Sequence, residues 1–492
     1  MRFHYGRKFT VATESAAVQQ DEEDLAAKQG DGTAGAETVE TELLETQDLI
    51  TEGEDRAAAI EEAEVVMDEL EEDQEVLAEA QESGGMTTRE AHILMRKVNN
   101  DLARIGIASA RFPATESFGR ASSRASSTRL AMESISEKLK QIWKAIIDAI
   151  KKSIRWVRDV YNKFFGTFEG LVKRAKAIQE RADNTTGSLK SEHKKIENDR
   201  IFKVLAVNNS FDKNSVQYLL DKATEWLAKG FSEQNKFIER VVDKLGDIDE
   251  EDIVKLEDEN TKAKDGEARN RTSKTSTILG TTLGLNDGTL KGFLPDHGLD
   301  AKNVTGNLKK DFPDSDTVAS PELPGNMCLV ATGGADISKL RVRLVGYDTK
   351  RNIKEGKPIN ALSTGEVSTL AEAVEQFAEE GVRVRKDGDK LADNKEKLVK
   401  QAERLSKLDF DFKKYKHKVE DSKVSSHETD EDDTDNNKAG RDGSKTIRKA
   451  ITNLNSFTGD FQVRYTGYAV NVAKTTLDLC ELSLKAYDAS KN

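Results

Sequence analysis

The chain has 492 residues, enough for about two to four domains, yet only 36% are hydrophobic and 34% are charged. Two distant cysteines, Cys328 and Cys480, exclude a disulfide framework and fit a reducing compartment. The sequence has no apolar run long enough for a membrane span and no secretory signal, so we expect synthesis in a cytoplasm.

The acidic excess of the chain lies in its first 133 residues. Residues 1–133 hold 13 Lys or Arg and 29 Asp or Glu, a net charge of −16. Subtraction from the whole-chain totals of 76 and 89 leaves 63 basic and 60 acidic residues in 134–492, a net charge of +3. A block of one charge sign repels itself, so we predict an acidic, largely disordered leader over 1–133.

Two short helices are predicted inside this leader, near 55–80 and 88–108. The first has apolar residues at helical spacing among glutamates: Ile60, Val65, Met67, Leu70 and Leu77. It is either a transient helix or a segment that docks on another protein during assembly, and the sequence leaves both open. The segment from Phe112 to Arg129, with Pro113, Gly119 and a run of small residues from Ala121 to Ser127, predicts a flexible linker that proteases can reach.

The strongest helical pattern begins at Ser134. Ser134 and Glu137 have the spacing of a capping box at a helix start. Apolar residues then keep the three-and-four spacing of an amphipathic helix as far as Phe168. Much of the remaining surface of segment 134–165 is basic and includes Lys140, Lys144, Lys151, Lys152, Arg155 and Arg158.

Three roles fit this basic amphipathic helix. Its apolar face can be buried against neighbouring helices. Trp143 and Trp156, together with the basic residues, also fit binding to a membrane surface. The basic residues also fit nonspecific contact with the phosphates of nucleic acid. The first and third roles are compatible, because the apolar face and the lysines lie on different sides of the helix.

The rest of the chain is predicted to be helical around one small β element. Its regions are a helical region 134–270, a loop or linker 271–325, a small β element 326–347, a helical region 348–420, an acidic loop 421–443 and a C-terminal helical region 444–492. The β element is a hairpin or minor sheet. The predicted fold class is therefore mainly α, with an elongated multi-helix body behind the leader.

Known catalytic and cofactor motifs are missing from the sequence. It has no H-E-x-x-H, Walker loop, dinucleotide-binding glycine pattern or G-x-S-x-G, and its six histidines are scattered. The stretch that begins at Asp433 has Lys438 and Ser444 where a calcium loop needs glycine and glutamate. We expect no cofactor, no metal site and no enzymatic activity.

The motif Ala-x-Glu-Ser occurs four times in the first 134 residues and nowhere else. We interpret the copies as protease sites that are cut after the glutamate, with the main cut between Glu133 and Ser134. That cut changes the net charge of the product from −13 to +3. The four copies are Ala131, Glu133 and Ser134; Ala114, Glu116 and Ser117; Ala80, Glu82 and Ser83; and Ala12, Glu14 and Ser15.

A small residue two places before a cleaved glutamate resembles the recognition motif of prohead proteases in giant tailed phages related to phiKZ. The plan of the chain, an acidic propeptide and then a helix-rich body, is similar to that of the internal head proteins of these phages. The resemblance implies a structural virion protein in the capsid interior, made in the host cytoplasm and processed by the prohead protease. It also implies contact with other capsid or inner-body proteins or with packaged DNA, and ejection with the genome.

Two other functions remain open on the sequence alone. One is a helical interaction or membrane-binding protein that acts through segment 134–165. The other is an enzyme that acts after delivery into a host. A net charge of +3 over 134–492 predicts modest nonspecific affinity for DNA, and the acidic leader would suppress that binding by repelling phosphate.

Overall fold

The computed structural model describes residues 35–247, 293–314, 316–333, 340–348, 356–407, 445, 447–457 and 459–491. Over these ranges the chain is mainly helical and has three small antiparallel sheets. The predicted class, mainly α with a minor sheet, is confirmed. The motif copy at 12–15, the first part of the predicted loop 271–325 and the acidic loop 421–443 lie outside the described residues.

The chain divides into two compact units, Met1–Ser153 and Ile154–Asn492. The described part of the first unit contains helix α1 (Gly35–Glu82), helix α2 (Thr88–Arg104), a 3-10 turn (Thr115–Phe118) and the first part of helix α3 (Ala121–Asn184). Helix α3 continues into the second unit.

Ion pairs hold α2 antiparallel to α1. Lys97 Nζ lies 2.6 Å from Asp73 Oδ1, and Arg104 reaches Glu62 at 2.8 Å and Glu69 at 2.7 Å. A capping box starts α2: the Thr87 backbone N–H and hydroxyl donate to Glu90, which lowers the pKa of the Glu90 carboxyl. The two leader helices are therefore a packed pair.

Helix α3 is also antiparallel to α1. The Met86 N–H, just after α1, donates to Thr128 Oγ1 at 2.9 Å, and Gln74 donates to Ser136 Oγ at 2.6 Å. The core of the first unit combines apolar residues of all three helices, which are buried: Val66, Leu70, Leu77, Val98, Leu102, Ile135, Ile142 and Ile146. Burial of these apolar residues offsets the repulsion between the acidic side chains, so the segment folds despite its high acidic charge.

Helix α3 begins at Ala121, so the predicted linker was wrong from Ala121 to Arg129, and so was the predicted helix start at Ser134. Hydroxyl groups in this segment donate to carbonyls of the preceding turn, as Thr128 Oγ1 does to Arg124 O at 2.9 Å. Ser127 and Thr128 are buried. The segment has a composition that is typical of linkers, and it is helical because it packs against the rest of the leader. Helix α1 also begins earlier than predicted, at Gly35 instead of near 55.

In the second unit, other helices and strands pack around the C-terminal helices. Beyond α3 its helices are α4 (Asp199–Leu205), α5 (Lys213–Glu225), α6 (Phe231–Asp247), α7 (Leu308–Asp311), α8 (Thr364–Arg383), α9 (Arg385–Lys407), α10 (447–457) and α11 (Asp460–Lys491). A π-helical turn, Trp226–Gly230, joins α5 to α6, and 3-10 turns lie at Ser191–His193 and Ala301–Asn303. Helix α8 packs against α5 and α11, and α9 packs against α6.

The strands form short antiparallel pairs. They are β1 (Lys195–Ile196), β2 (Ala206–Val207), β3 (Ser210–Phe211), β4 (Val318–Ala319), β5 (Met327–Thr332), β6 (Arg341–Gly346) and β7 (Ile359–Asn360). The pairs are β1 with β7 and β2 with β3, and the sheet β4-β5-β6 has Met327 opposite Gly346. This sheet confirms the β element predicted at 326–347. Burial raises the pKa of Cys328 in β5 and of Cys480 in α11 to about 12.

Buried polar groups connect α11 to its surroundings. The Tyr161 hydroxyl donates to Gln462 Oε1 at 3.3 Å, and Gln462 Nε2 in turn donates to Gln234 Oε1. His297 Nε2 lies 2.7 Å from the Tyr465 hydroxyl, and burial lowers the pKa of His297 to about 4. Such networks favour one packing arrangement, because an unpaired polar group in the interior is costly.

Candidate processing sites and basic helix face

The Ala-x-Glu-Ser copy at 80–83 lies at the end of α1. Ala80 and Glu82 are in its last turn, and Glu82 and Ser83 are exposed. Gly84 and Gly85 follow with φ of +94° and +97°, and the Gly85 N–H donates to Ala80 O at 2.7 Å. Terminal turns of helices fray, so the Glu82–Ser83 bond is open to a protease.

The copy at 114–117 lies in the connection between α2 and α3. Ala114 and Glu116 are exposed, and Ala114 precedes the 3-10 turn with φ −57° and ψ 137°. The Ser117 hydroxyl donates to Ala114 O at 2.7 Å and accepts from Ser127 Oγ at 2.8 Å. Ala114 and Glu116 are thus both exposed at a short turn between two helices.

The copy at 131–134 lies inside α3. Glu133 is exposed and pairs with Arg129 at 3.6 Å, whereas Ala131 and Ile135 are buried. In a helix, residues two apart point about 200° away from each other, whereas in an extended segment they lie on the same side. A protease that reads both Ala131 and Glu133 therefore needs this turn of α3 to unwind.

Four further Ala-x-Glu triplets lack the serine and so fall outside the longer motif. They are 59–61, 223–225, 373–375 and 378–380. All four lie in helices, and in the three that follow residue 134 the alanines Ala223, Ala373 and Ala378 are buried. The alanine is thus buried in these body triplets, whereas Ala80 is half-buried and Ala114 is exposed. Ala131 is buried, as in the body triplets.

The lysines predicted for DNA or partner contact are exposed on α3. Lys140, Lys144 and Lys151 lie within about 40° of arc, and Lys152 lies about 120° from Lys140. Lys151 has a long contact with Asp148, at 3.9 Å. These four lysines form the basic helix face of the first unit.

Arg155 and Arg158 belong to the second unit and are also exposed. Arg158 contacts Asp393 at 3.3 Å and Glu396 at 3.1 Å, so carboxylates of α9 neutralise much of its charge. It is therefore a weaker candidate for phosphate contact than the lysines.

The apolar face of the same helix is part of the core. Trp143 and Trp156 are 6% and 4% exposed, and Ile142, Ile146 and Ile150 are buried. Burial, the first of the three predicted roles, is confirmed, and a membrane-binding role would need this face turned outward. Among the helices that the structure describes, none has the length and apolar character needed to cross a membrane.

The family model of phiKZ-like phage internal head proteins matches residues 45–482. The match begins within α1 and ends within α11, so it includes much of the leader as well as the body. Neither the curated proteins nor the solved structures contain a match to this chain. The family is that of structural proteins in the capsid interior of the virion. The chain belongs to the phiKZ-like phage internal head proteins.

Proposed function

We propose that the acidic leader of this internal head protein is a propeptide, removed by the phage prohead protease chiefly between Glu133 and Ser134. The observation that carries this proposal is the position of the motif copies. Two of the three described copies lie at exposed connections between successive helices, after α1 and after α2. Cuts there separate the leader into its individual helices.

Removal of the leader changes the electrostatics of the protein. The leader contributes a net charge of −16, and the remaining 134–492 carry +3. Repulsion between the precursor and DNA is therefore relieved on processing. We propose that the processed protein is a non-catalytic component that contacts packaged DNA nonspecifically through Lys140, Lys144, Lys151 and Lys152. It packs with other capsid or inner-body proteins and leaves with the genome.

Incubation of the purified precursor with the prohead protease tests the processing. We expect a product whose first residue is Ser134, and we expect Glu133→Gln to abolish it. Glu225→Gln is the matched control, because Glu225 is also an exposed glutamate in a helical Ala-x-Glu triplet with a buried alanine. A stable product with a different first residue, or unchanged cleavage of the Glu133→Gln variant, contradicts the proposal.

A further inference from the structure

The proposed main processing site lies beside the leader in the folded precursor. Ala131 is 1% exposed in the folded precursor, and the next residue on its side of α3, Ile135, is 0% exposed. Both lie in the first unit, in the helix that is antiparallel to α1. The exposed Glu133 is therefore presented without the alanine that completes the motif.

We propose that maturation is ordered: cleavage after Glu82 and after Glu116 comes first, and cleavage after Glu133 comes last. This inference rests on the proposed function. Each cut hydrolyses one Glu–Ser peptide bond, so that water supplies the atoms for a new carboxylate on the glutamate and a new amino group on the serine. The early cuts release α1 and α2 and so uncover Ala131.

Contacts from the leader lie on both sides of the main site. On one side, Met86 donates to Thr128 Oγ1 at 2.9 Å. On the other, Gln74 donates to Ser136 Oγ at 2.6 Å. Because the segment 131–134 lies between these two bonds, α3 cannot unwind there without loss of leader contacts.

The close approach of Gly85 to α3 adds a steric contact. A Cβ placed on Gly85 would lie 2.6 Å from Ala125 N and 2.6 Å from Arg124 C, which are backbone atoms. Only glycine allows the turn after α1 to lie this close to the first turns of α3. A Cβ on the neighbouring Gly84, which also has a positive φ, would meet nothing within 4 Å.

The early cuts weaken these contacts because they lower the effective concentration of α1 and α2 near α3. While the chain is intact, α1 and α2 are tethered to α3 and rebind after every opening. After cleavage at both connections each helix is a separate peptide, and its rebinding depends on its concentration in solution. Proteolysis of a transiently opened segment follows the population of the open form, so the rate at Glu133 rises when the leader helices leave.

The body triplets show the protection that remains after maturation. Ala223 in α5 and Ala373 and Ala378 in α8 are buried. These two helices pack against each other within the second unit, which processing does not remove. The same protease therefore leaves these helices intact and cuts Ala131-Met132-Glu133, although all four triplets are helical with buried alanines. Removal of the covering helices, and not the motif alone, decides which site is cut.

A cleavage time course of the full-length precursor with the prohead protease tests the order. Mass spectrometry should detect fragments ending at Glu82 or Glu116 before any product beginning at Ser134. In the double variant Glu82→Gln/Glu116→Gln, we expect the Ser134 product to form about tenfold more slowly. The charge-matched control Glu75→Gln/Glu79→Gln should keep the wild-type rate.

The outcomes separate this inference from the proposed function. An unchanged rate of Ser134 formation in the double variant overturns the order and leaves the processing proposal standing. Absence of the Ser134 product from the wild-type time course overturns both.

A second pair of variants tests the leader contact without altering a glutamate. In the Glu82→Gln/Glu116→Gln background, Gly85→Ala should displace the turn from α3 and restore much of the rate at Glu133. Gly84→Ala has a similar backbone cost but no collision, so it should restore much less. Equal rates for the two variants would show that contact with the leader does not protect Ala131, and would overturn the proposal.

Discussion

Gln74 in α1 donates a hydrogen bond from Nε2 to the Ser136 hydroxyl in α3, over 2.6 Å. The two residues lie on opposite sides of the proposed cut at Glu133, one in the leader and one in the product. The leader is thus folded onto the first turns of the part that it precedes, and its removal requires separation of packed helices as well as hydrolysis.

The Gln74–Ser136 bond should slow the opening of α3. A hydrogen bond of this kind contributes about 1 kcal/mol, so Gln74→Ala should raise the rate of Ser134 formation by about fivefold. Ser136→Ala should have a similar effect, and the double variant should add little to either, because both remove the same bond. Cleavage kinetics of the three variants measure this. Fully additive effects would show that the bond does not restrain the site.

The ion pair between α3 and α11 in the second unit should contribute to its stability. Arg174 contacts Asp478 at 2.7 Å and Glu481 at 2.8 Å, and its side chain is 23% exposed. These carboxylates raise the pKa of Arg174 despite its burial. Arg174→Met leaves both carboxylates without this partner. We therefore expect the free energy of unfolding, measured by urea denaturation, to fall by about 2 kcal/mol.

Lys176 supplies the matched control for this measurement. It pairs with Glu375 and Glu379 at 3.2 Å and 3.3 Å but is 56% exposed, so Lys176→Met should lower the free energy of unfolding much less than Arg174→Met does. If Arg174→Met and Lys176→Met lower the free energy of unfolding equally, burial does not make the Arg174 ion pairs the stronger ones.

Stability should fall as the pH drops below 6.5, because His297 is buried in its neutral form. Burial lowers its pKa from 6.5 to about 4, with Lys222 acting in the same direction and Asp296 opposing. Between these values the unfolded chain binds a proton that the folded chain does not, so stability is lost. From about pH 7.5 to about pH 5 this one group should cost about 2 kcal/mol.

The measurement compares urea midpoints of the wild type and His297→Gln at both pH values. The carboxylates titrate in both proteins, so the difference between their pH dependences isolates His297. A variant that loses as much stability as the wild type on acidification would refute the assignment.

DNA binding should depend on the basic helix face once the leader is gone. In the processed protein, replacement of Lys140, Lys144, Lys151 and Lys152 by glutamine should weaken binding and reduce the slope of log K against log salt by about two to four. The control replaces four other exposed lysines, Lys194, Lys195, Lys203 and Lys229. The precursor should bind more weakly than the product at the same salt. Equal losses in both quadruple variants would argue against a specific contact face.

The sequence predicted elements whose pattern arises within a single segment. Apolar spacing from 134 to 168 identified α3, because a helix repeats its buried face every few residues. Alternation in residues 340–345 identified β6 for the corresponding reason. The start of α3 was missed because its helical form depends on packing against Met86 and Gly85, which no local pattern records.

The motif copies could be found from the sequence, but their accessibility could not. Two triplets with the same Ala-x-Glu pattern differ in the exposure of their alanine: Ala114 is exposed and Ala131 is buried. The difference depends on which helices pack on each. The contact between His297 and Tyr465 joins residues 168 positions apart, so it too depends on the tertiary fold.

Peptide mapping of the protein extracted from mature particles tests most directly whether the leader is removed during maturation. We expect a protein whose first residue is Ser134, with no peptides that span Met132–Ile135. We also expect intact peptides across the body triplet at Ala223–Glu225. Abundant peptides across the Glu133–Ser134 bond in mature particles would contradict removal of the leader.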